Sequence, residues 1–176
     1  GGHFRRHFLG WRAGRRAAGD PAFPQRSGVR LTDLQLLAHL FLERARRVQH
    51  YLGGHLPGAD LYEAESADGL KFFLLDCPAL FDRPGNPYLG ADGQDWPDNH
   101  LRFALLARVA ARLSGAGTPV PGWRPDVLHC HDWQTGLAPY YLRFYESDGA
   151  ATVLTIHNLA FQGVFSSGVM GELALT

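Results

Sequence analysis

The stretch Asp126–Pro139, DVLHCHDWQTGLAP, decides the fold class. Val127 to Cys130 reads as a short strand ending in the polar groups of His129, His131 and Asp132, and a helix is expected to begin at once. A strand that hands over directly to a helix is half of a strand–helix–strand unit. The other half follows: Gln134 to Tyr145 reads as the crossover helix, and Thr152 to Ile156, a β-branched run, as the next strand. Short continuous apolar strands joined in this way imply an α/β fold, with a parallel sheet covered on both faces and right-handed crossovers. Such a sheet binds ligands at the carboxyl ends of its strands, so the informative residues are the polar ones just after each strand.

Working outward, Leu70 to Leu75 reads as a buried strand closed by Asp76-Cys77-Pro78. A long loop of Pro, Gly, Asn and Asp runs from Asp82 to Asp98. A helix is then expected from Pro97 to about Leu113, with Leu101, Leu105, Val109 and Leu113 as its apolar face. Three parallel strands are therefore predicted near 70–75, 127–130 and 152–156, with Asp132 and His157 on one rim. Farther upstream, Leu34, Leu37, Phe41, Ala45, Val48 and Leu52 recur at helical spacing behind Thr32, a candidate N-cap. Residues 1–30 are rich in Arg, Gly, Ala and Pro, show no period, and read as loop-like or disordered.

The formal net charge is zero, but it is unevenly spread. Residues 1–50 hold ten arginines against Asp20, Asp33 and Glu43, for +7, and the remainder carries −7. A basic arm can bind nucleic acid or an anionic surface. No recognition module accompanies it, which makes nucleic acid the weakest reading. No run reaches the roughly 18 apolar residues of a membrane span, and no secretory signal is visible. Cys77 and Cys130 sit in apolar, strand-like segments without Cys-x-x-Cys spacing. They read as reduced core thiols, a usage that fits the cytoplasm.

Each polar cluster has two readings. Asp132 is placed to cap the first helical turn, or to face a ligand at the helix N-terminus. His129 and His131 share a strand face as metal ligands would, but no third ligand stands nearby, so a metal is not expected. In Thr152–Gly163, TVLTIHNLAFQG, the strand stops at His157-Asn158, a hydrogen-bonding pair where a sugar could be held or a structural pair satisfied within the fold. The loop from Leu80 to Tyr88 and from Asp95 to Ala104 mixes aromatic residues with Asp, Asn and Gly. That composition suits carbohydrate, and it also suits ordinary turns.

Four pieces, LFDRPGNPY, DWPDNHLRFALL, DVLHCHDWQTGLAPYYL and TIHNLAFQGVF, occur in the order and spacing of the glycogen/starch synthase family. The chain resembles the N-terminal domain of that family over roughly residues 56–170. The resemblance implies a GT-B type glycosyltransferase, two Rossmann-like halves facing a cleft, of which this chain carries an incomplete N-terminal half. It implies transfer of glucose from ADP-glucose, or UDP-glucose in some relatives, to the non-reducing end of an α-glucan such as glycogen, with retention and without metal or cofactor. His157 and Asn158 match the pair of the sugar pocket, and Asp132 matches the aspartate near the reaction centre. Trp96 stands in the loop near the glucosyl position, where many members have Tyr. Gln162 matches the Gln-Gly step, and Gly1-Gly2 match the glycines of the loop that approaches the donor phosphates.

The pattern is not followed throughout. The lysine of the family's Lys-x-Gly-Gly-Leu loop is absent, His3 follows Gly1-Gly2, and Gln134 stands where His is common. Residues 1–48 are set apart as an atypical basic arm, either frameshifted from a GC-rich gene or a disordered extension, and residues 49–176 as a partial catalytic domain. The arm is expected to be poorly ordered and to leave one sheet face uncovered. A C-terminal lobe is expected to be needed for activity. The alternative is a non-catalytic glucan-binding remnant, or a subunit that requires a separate C-terminal lobe.

Overall fold

The structure, a computed structural model, describes residues 7–12, 46–51, 56–65, 69–84 and 86–175. The chain divides into two compact units, the first containing residues 1–51 and 59–82 and the second residues 52–58 and 83–176.

The first unit is a four-stranded mixed sheet in the order β1-β4-β3-β2. β4 (Lys71–Asp76) pairs parallel with β1 (His7–Arg12) and antiparallel with β3 (Ala59–Glu65), which pairs antiparallel with β2 (Arg46–Tyr51). The continuous apolar run Phe72–Leu75 is buried along its whole length, as a central strand with both faces covered requires. Ala64, Phe72 and Leu74 form a core cluster against which Tyr62 and Leu70 pack. Pro78 starts the short helix α1 (Pro78–Phe81), since its missing N–H costs nothing in a first turn.

Two upstream expectations need correction. Residues 7–12 read as loop-like in the sequence, yet they form β1. The segment HFLGWR contains Phe, Leu and Trp, and ladder bonds to a neighbouring strand do not require amphipathic alternation. The helix expected over 32–52 is contradicted at Arg46–Tyr51, which is β2 with a bulge between Arg47 and Gln49. Cross-strand pairs of Arg46 with Glu63 and of Arg47 with Asp60 favour the extended form there, overriding a weak helical period. Residues 32–45 lie outside the described residues. The boundary expected at 48/49 falls inside β2.

The second unit is built on α2 (Asn99–Ser114), which packs on α3 (Ala138–Tyr145) and on β5 (Val127–His131). β5 pairs parallel with β6 (Ala151–Thr155), as the strand–helix–strand reading requires. The burial of α2 exceeds the expected stripe, for Phe103, Ala104, Leu106, Ala107 and Ala111 are buried beside Leu105, Val109 and Leu113. The small alanines let neighbouring elements approach closely. The crossover helix is shorter than the expected 134–145. A 3₁₀ turn at Trp133–Thr135 and Gly136 precede α3, and Pro139 marks the helix start.

The expectation of one parallel sheet holding all three strands is met only in part. β4 is hydrogen-bonded into the four-stranded sheet, whereas β5 and β6 form a separate parallel pair. Nor are β5 and β6 covered on both faces: Cys130 is buried, but Val153 and Leu154 stay about half exposed at 47% and 48%. Both cysteines are buried and outside any disulfide, as expected of core thiols. Among the described residues no helix is long and apolar enough to cross a membrane.

Candidate active site

The carboxyl ends of β5 and β6 lie side by side, with His131 opposite Thr155 in register. The residues that follow each strand therefore meet. Asp132 adopts φ 55°, a left-handed conformation that a residue with a Cβ takes only when its surroundings hold it there. That turn aims its carboxylate across the strand ends. Oδ1 accepts from the His157 backbone N–H at 2.7 Å, and Oδ2 lies 2.8 Å from His157 Nδ1. The expected capping role of Asp132 is thereby corrected, for it makes no side-chain bond to the turn that follows. Both carboxylate oxygens are engaged by His157 instead.

The His157 N–H is the main reason the Asp132 carboxyl is held below its usual range. Desolvation opposes the shift and the ring of His157 adds to it. A depressed carboxyl contributes stability above its unfolded value of about 3.9, and that contribution is lost as pH falls through the lower folded value. Acidification should accordingly leave the His157 amide protected from exchange down to about pH 4, with protection lost only below it. Amide exchange followed by NMR checks this, and loss of protection near neutral pH would contradict the assigned hydrogen bond.

Three imidazoles gather at the same rim. The rings of His129 and His131 are 4.2 Å apart, and His131 stacks on His157 at 5.4 Å. Nε2 of His129 meets Thr155 Oγ1 at 2.7 Å. Burial, then the neighbouring His129 and His157, pushes His131 below the ordinary imidazole range, with Asp132 pulling the other way. Among the described residues no group of three His, Cys, Asp or Glu could hold a metal ion.

Asn158 and Gln162 take up local bonds. The Asn158 Oδ1 accepts from the Ala160 N–H at 2.9 Å, and Gln162 Nε2 donates to the Leu159 carbonyl at 3.0 Å. These bonds shape the turn after β6. Gln162 also lines a cavity of about 430 Å³ beside Trp133, together with Gly163, Phe165, Gln134 and His100. Trp96 belongs to a different cluster: the Arg83 guanidinium lies 4.9 Å above its ring. Trp96 makes no ring contact with Asp132 or His157 among the described residues. Gly1 and Gly2 lie outside them.

Several residues of this region were not singled out from sequence. Asn99 and Arg102 are both buried. Arg102 donates to Asn99 Oδ1 at 2.6 Å and to the Pro87 carbonyl at 2.8 Å, while Asn99 Nδ2 donates to the Tyr88 carbonyl at 2.9 Å. This network fastens the loop before α2 to its first turn. Two polar residues three apart on an otherwise apolar helix face were its available signal. His100 lines the cavity with its Nε2 3.3 Å from Glu172. Gly163 has φ 59° and lies directly against the Trp133 indole, a contact that sequence spacing does not reveal.

Residues 27–176 match the family model described as the starch synthase catalytic domain. A glycogen synthase of Dechloromonas aromatica (strain RCB) is 54% identical over 120 residues, 68% of this chain and 24% of the relative. One from Rhodopseudomonas palustris (strain TIE-1) is 57% identical over 117 residues, 66% of this chain and 24% of that protein. Glycogen synthase 2 of Bradyrhizobium diazoefficiens is 50% identical over 133 residues, covering 76% and 26% respectively. The chain thus spans about a quarter of the length of these curated relatives.

Proposed function

The chain belongs to the starch synthase catalytic domain family, and from that premise we propose that it forms the sugar-holding part of a retaining α-1,4-glucan glucosyltransferase. The donor is ADP-glucose, and the acceptor is the non-reducing end of glycogen or a related α-glucan. In this reading the chain is part of the N-terminal half of a GT-B enzyme acting in the cytoplasm, and a second lobe grips the nucleotide diphosphate. The observation that carries the proposal is the Asp132–His157 pair. In the neutral ring, the proton donated to a carboxylate from Nδ1 of His157 leaves Nε2 as an acceptor for a sugar hydroxyl.

The chemistry assigned to these residues is orientation. The bond between the anomeric carbon and the diphosphate breaks as the acceptor hydroxyl approaches the same face, and its proton leaves with the departing phosphate. His157 and Asn158 fix the glucosyl ring, Asp132 fixes His157, and Gln162 and Trp96 bound the sugar. Gly1 and Gly2 belong to the donor-phosphate loop. Catalysis then rests on positioning and on charge stabilisation of the leaving group, without a carboxylate pair of the glycosidase kind.

The test is a chimera in which the matching 120 residues of this chain replace those of the Dechloromonas aromatica relative. It should transfer glucose from ADP-glucose to glycogen in preference to UDP-glucose. His157→Ala in the chimera should lower turnover about 100-fold, the scale of losing one well-placed polar group, with little change in melting temperature. Undiminished turnover would make His157 a structural residue.

A further inference from the structure

β5 brings two imidazoles to one end of the parallel pair, and the turn after β6 brings the third. His129 and His131, two apart on a strand, face the same side. Their ring centroids are 4.2 Å apart, and the His131 ring lies 20° from parallel to that of His157. The outer rings are each anchored by a hydrogen bond, His129 to Thr155 Oγ1 and His157 to Asp132 Oδ2. The middle ring is held through its backbone instead. The Thr135 hydroxyl accepts from the His131 N–H at 2.6 Å and donates to its carbonyl at 2.8 Å.

We infer that His131 is a positioning residue, a flat neutral wall that holds the His157 ring with Nδ1 toward Asp132 and Nε2 open to the crevice. This rests on the glucosyltransferase reading of His157 and deepens it. The physical need is specific. Rotation about χ2 of a histidine is broad and roughly two-fold, so one hydrogen bond on an exposed ring leaves a flipped state within reach. A second ring stacked nearly parallel restricts the plane, and the carboxylate then selects the nitrogen.

The wall works only while uncharged. A proton on His131 faces His129 on its own strand and His157 across the rim, and among the described residues Asp132 is the anion set against them. Burial and those two neighbours favour the neutral ring. The stack should therefore persist at neutral pH and loosen on the acid side, below about 6.5.

The test reads the ring nitrogens of His157 by ¹⁵N NMR in the full 176-residue chain at neutral pH. The unaltered chain should show one tautomer, with the proton on Nδ1. His131→Ala should shift the tautomer ratio about tenfold toward an averaged ring, the scale of one hydrogen bond's worth of order. His131→Phe, which restores a flat ring without charge, should return the single tautomer and hold it farther into acid. Should His131→Ala fail to fold, His131→Asn removes the ring in its place and the same shift is expected. In the chimera, His131→Ala should lower kcat about tenfold at nearly constant KM, with His131→Phe restoring it. An unchanged tautomer in the Ala and Asn variants overturns the inference. A shifted tautomer in a chimera that tolerates His157→Ala supports the positioning role and instead removes the catalytic reading of His157.

Discussion

Replacing Arg102 by leucine is expected to cost about 3 kcal/mol of stability, because it strips donors from a buried acceptor on Asn99 and a part-buried one on Pro87. Arg102 and Asn99 are each 2% exposed. Without the guanidinium, Asn99 Oδ1 and the Pro87 carbonyl both lose their 2.6–2.8 Å bonds, and each orphaned acceptor costs about 1–3 kcal/mol. Leucine returns some apolar burial, but replacing a buried polar group is neutral only when its partners are replaced with it. Burial and the nearby Arg83 push the Arg102 guanidinium down while Asp98 lifts it. It nonetheless stays charged at any ordinary pH, so the loss should be nearly independent of pH around neutrality. Urea unfolding followed by circular dichroism checks this, with a midpoint lowered by about 1–2 M. An unchanged midpoint would mean that the loop before α2 is not fastened by this network.

Gly163→Val is expected to cost about 4 kcal/mol locally and to expel the Trp133 indole. Two effects act together. At φ 59° a β-branched residue is a genuine backbone outlier, and a Cβ built there falls 2.9 Å from Trp133 Cγ and closer still to Cδ2 and Cε3. The indole has little room to yield. It meets Phe103 edge-on at 4.9 Å and Phe165 at 5.7 Å. The expected readout is the indole N–H resonance of Trp133, displaced toward that of a solvated tryptophan, with the cavity beside it lost. Gly163→Ala carries the same clash with a smaller strain and should give an intermediate shift. A wild-type resonance in both would show that the turn after β6 does not rest on Trp133.

The structure divides along a physical line between what local chemistry can announce and what it cannot. Phe72–Leu75 and Thr152–Thr155 were legible as strands because four consecutive apolar or β-branched residues leave few alternatives, and Val127–Cys130 because its short apolar start runs into a polar strand end before a helix. The body of α2 was legible because Leu101, Leu105 and Val109 recur at helical spacing. The parallel pairing of β5 with β6 followed from the crossover between them. That same rule places Asp132 and His157 on one rim, where the structure has them. The 32–52 period, by contrast, misled at Arg46–Tyr51, where pairing with β3 outweighs a helical preference worth only tenths of a kcal/mol per residue.

By itself, then, the sequence determined which segments are strands and helices, which strand ends carry polar groups, and which family the four motifs resemble, because each is written in spacing along the chain. Tertiary structure alone decided that β4 joins β1 and β3 rather than β5. It also decided that Asp132 binds His157 rather than capping, that His131 lies against two other imidazoles, and that Gly163 must lack a side chain. Those outcomes depend on which groups meet across long stretches of chain. A hydrogen bond, a ring contact or a steric clash is set by distances in space that neighbouring residues do not encode.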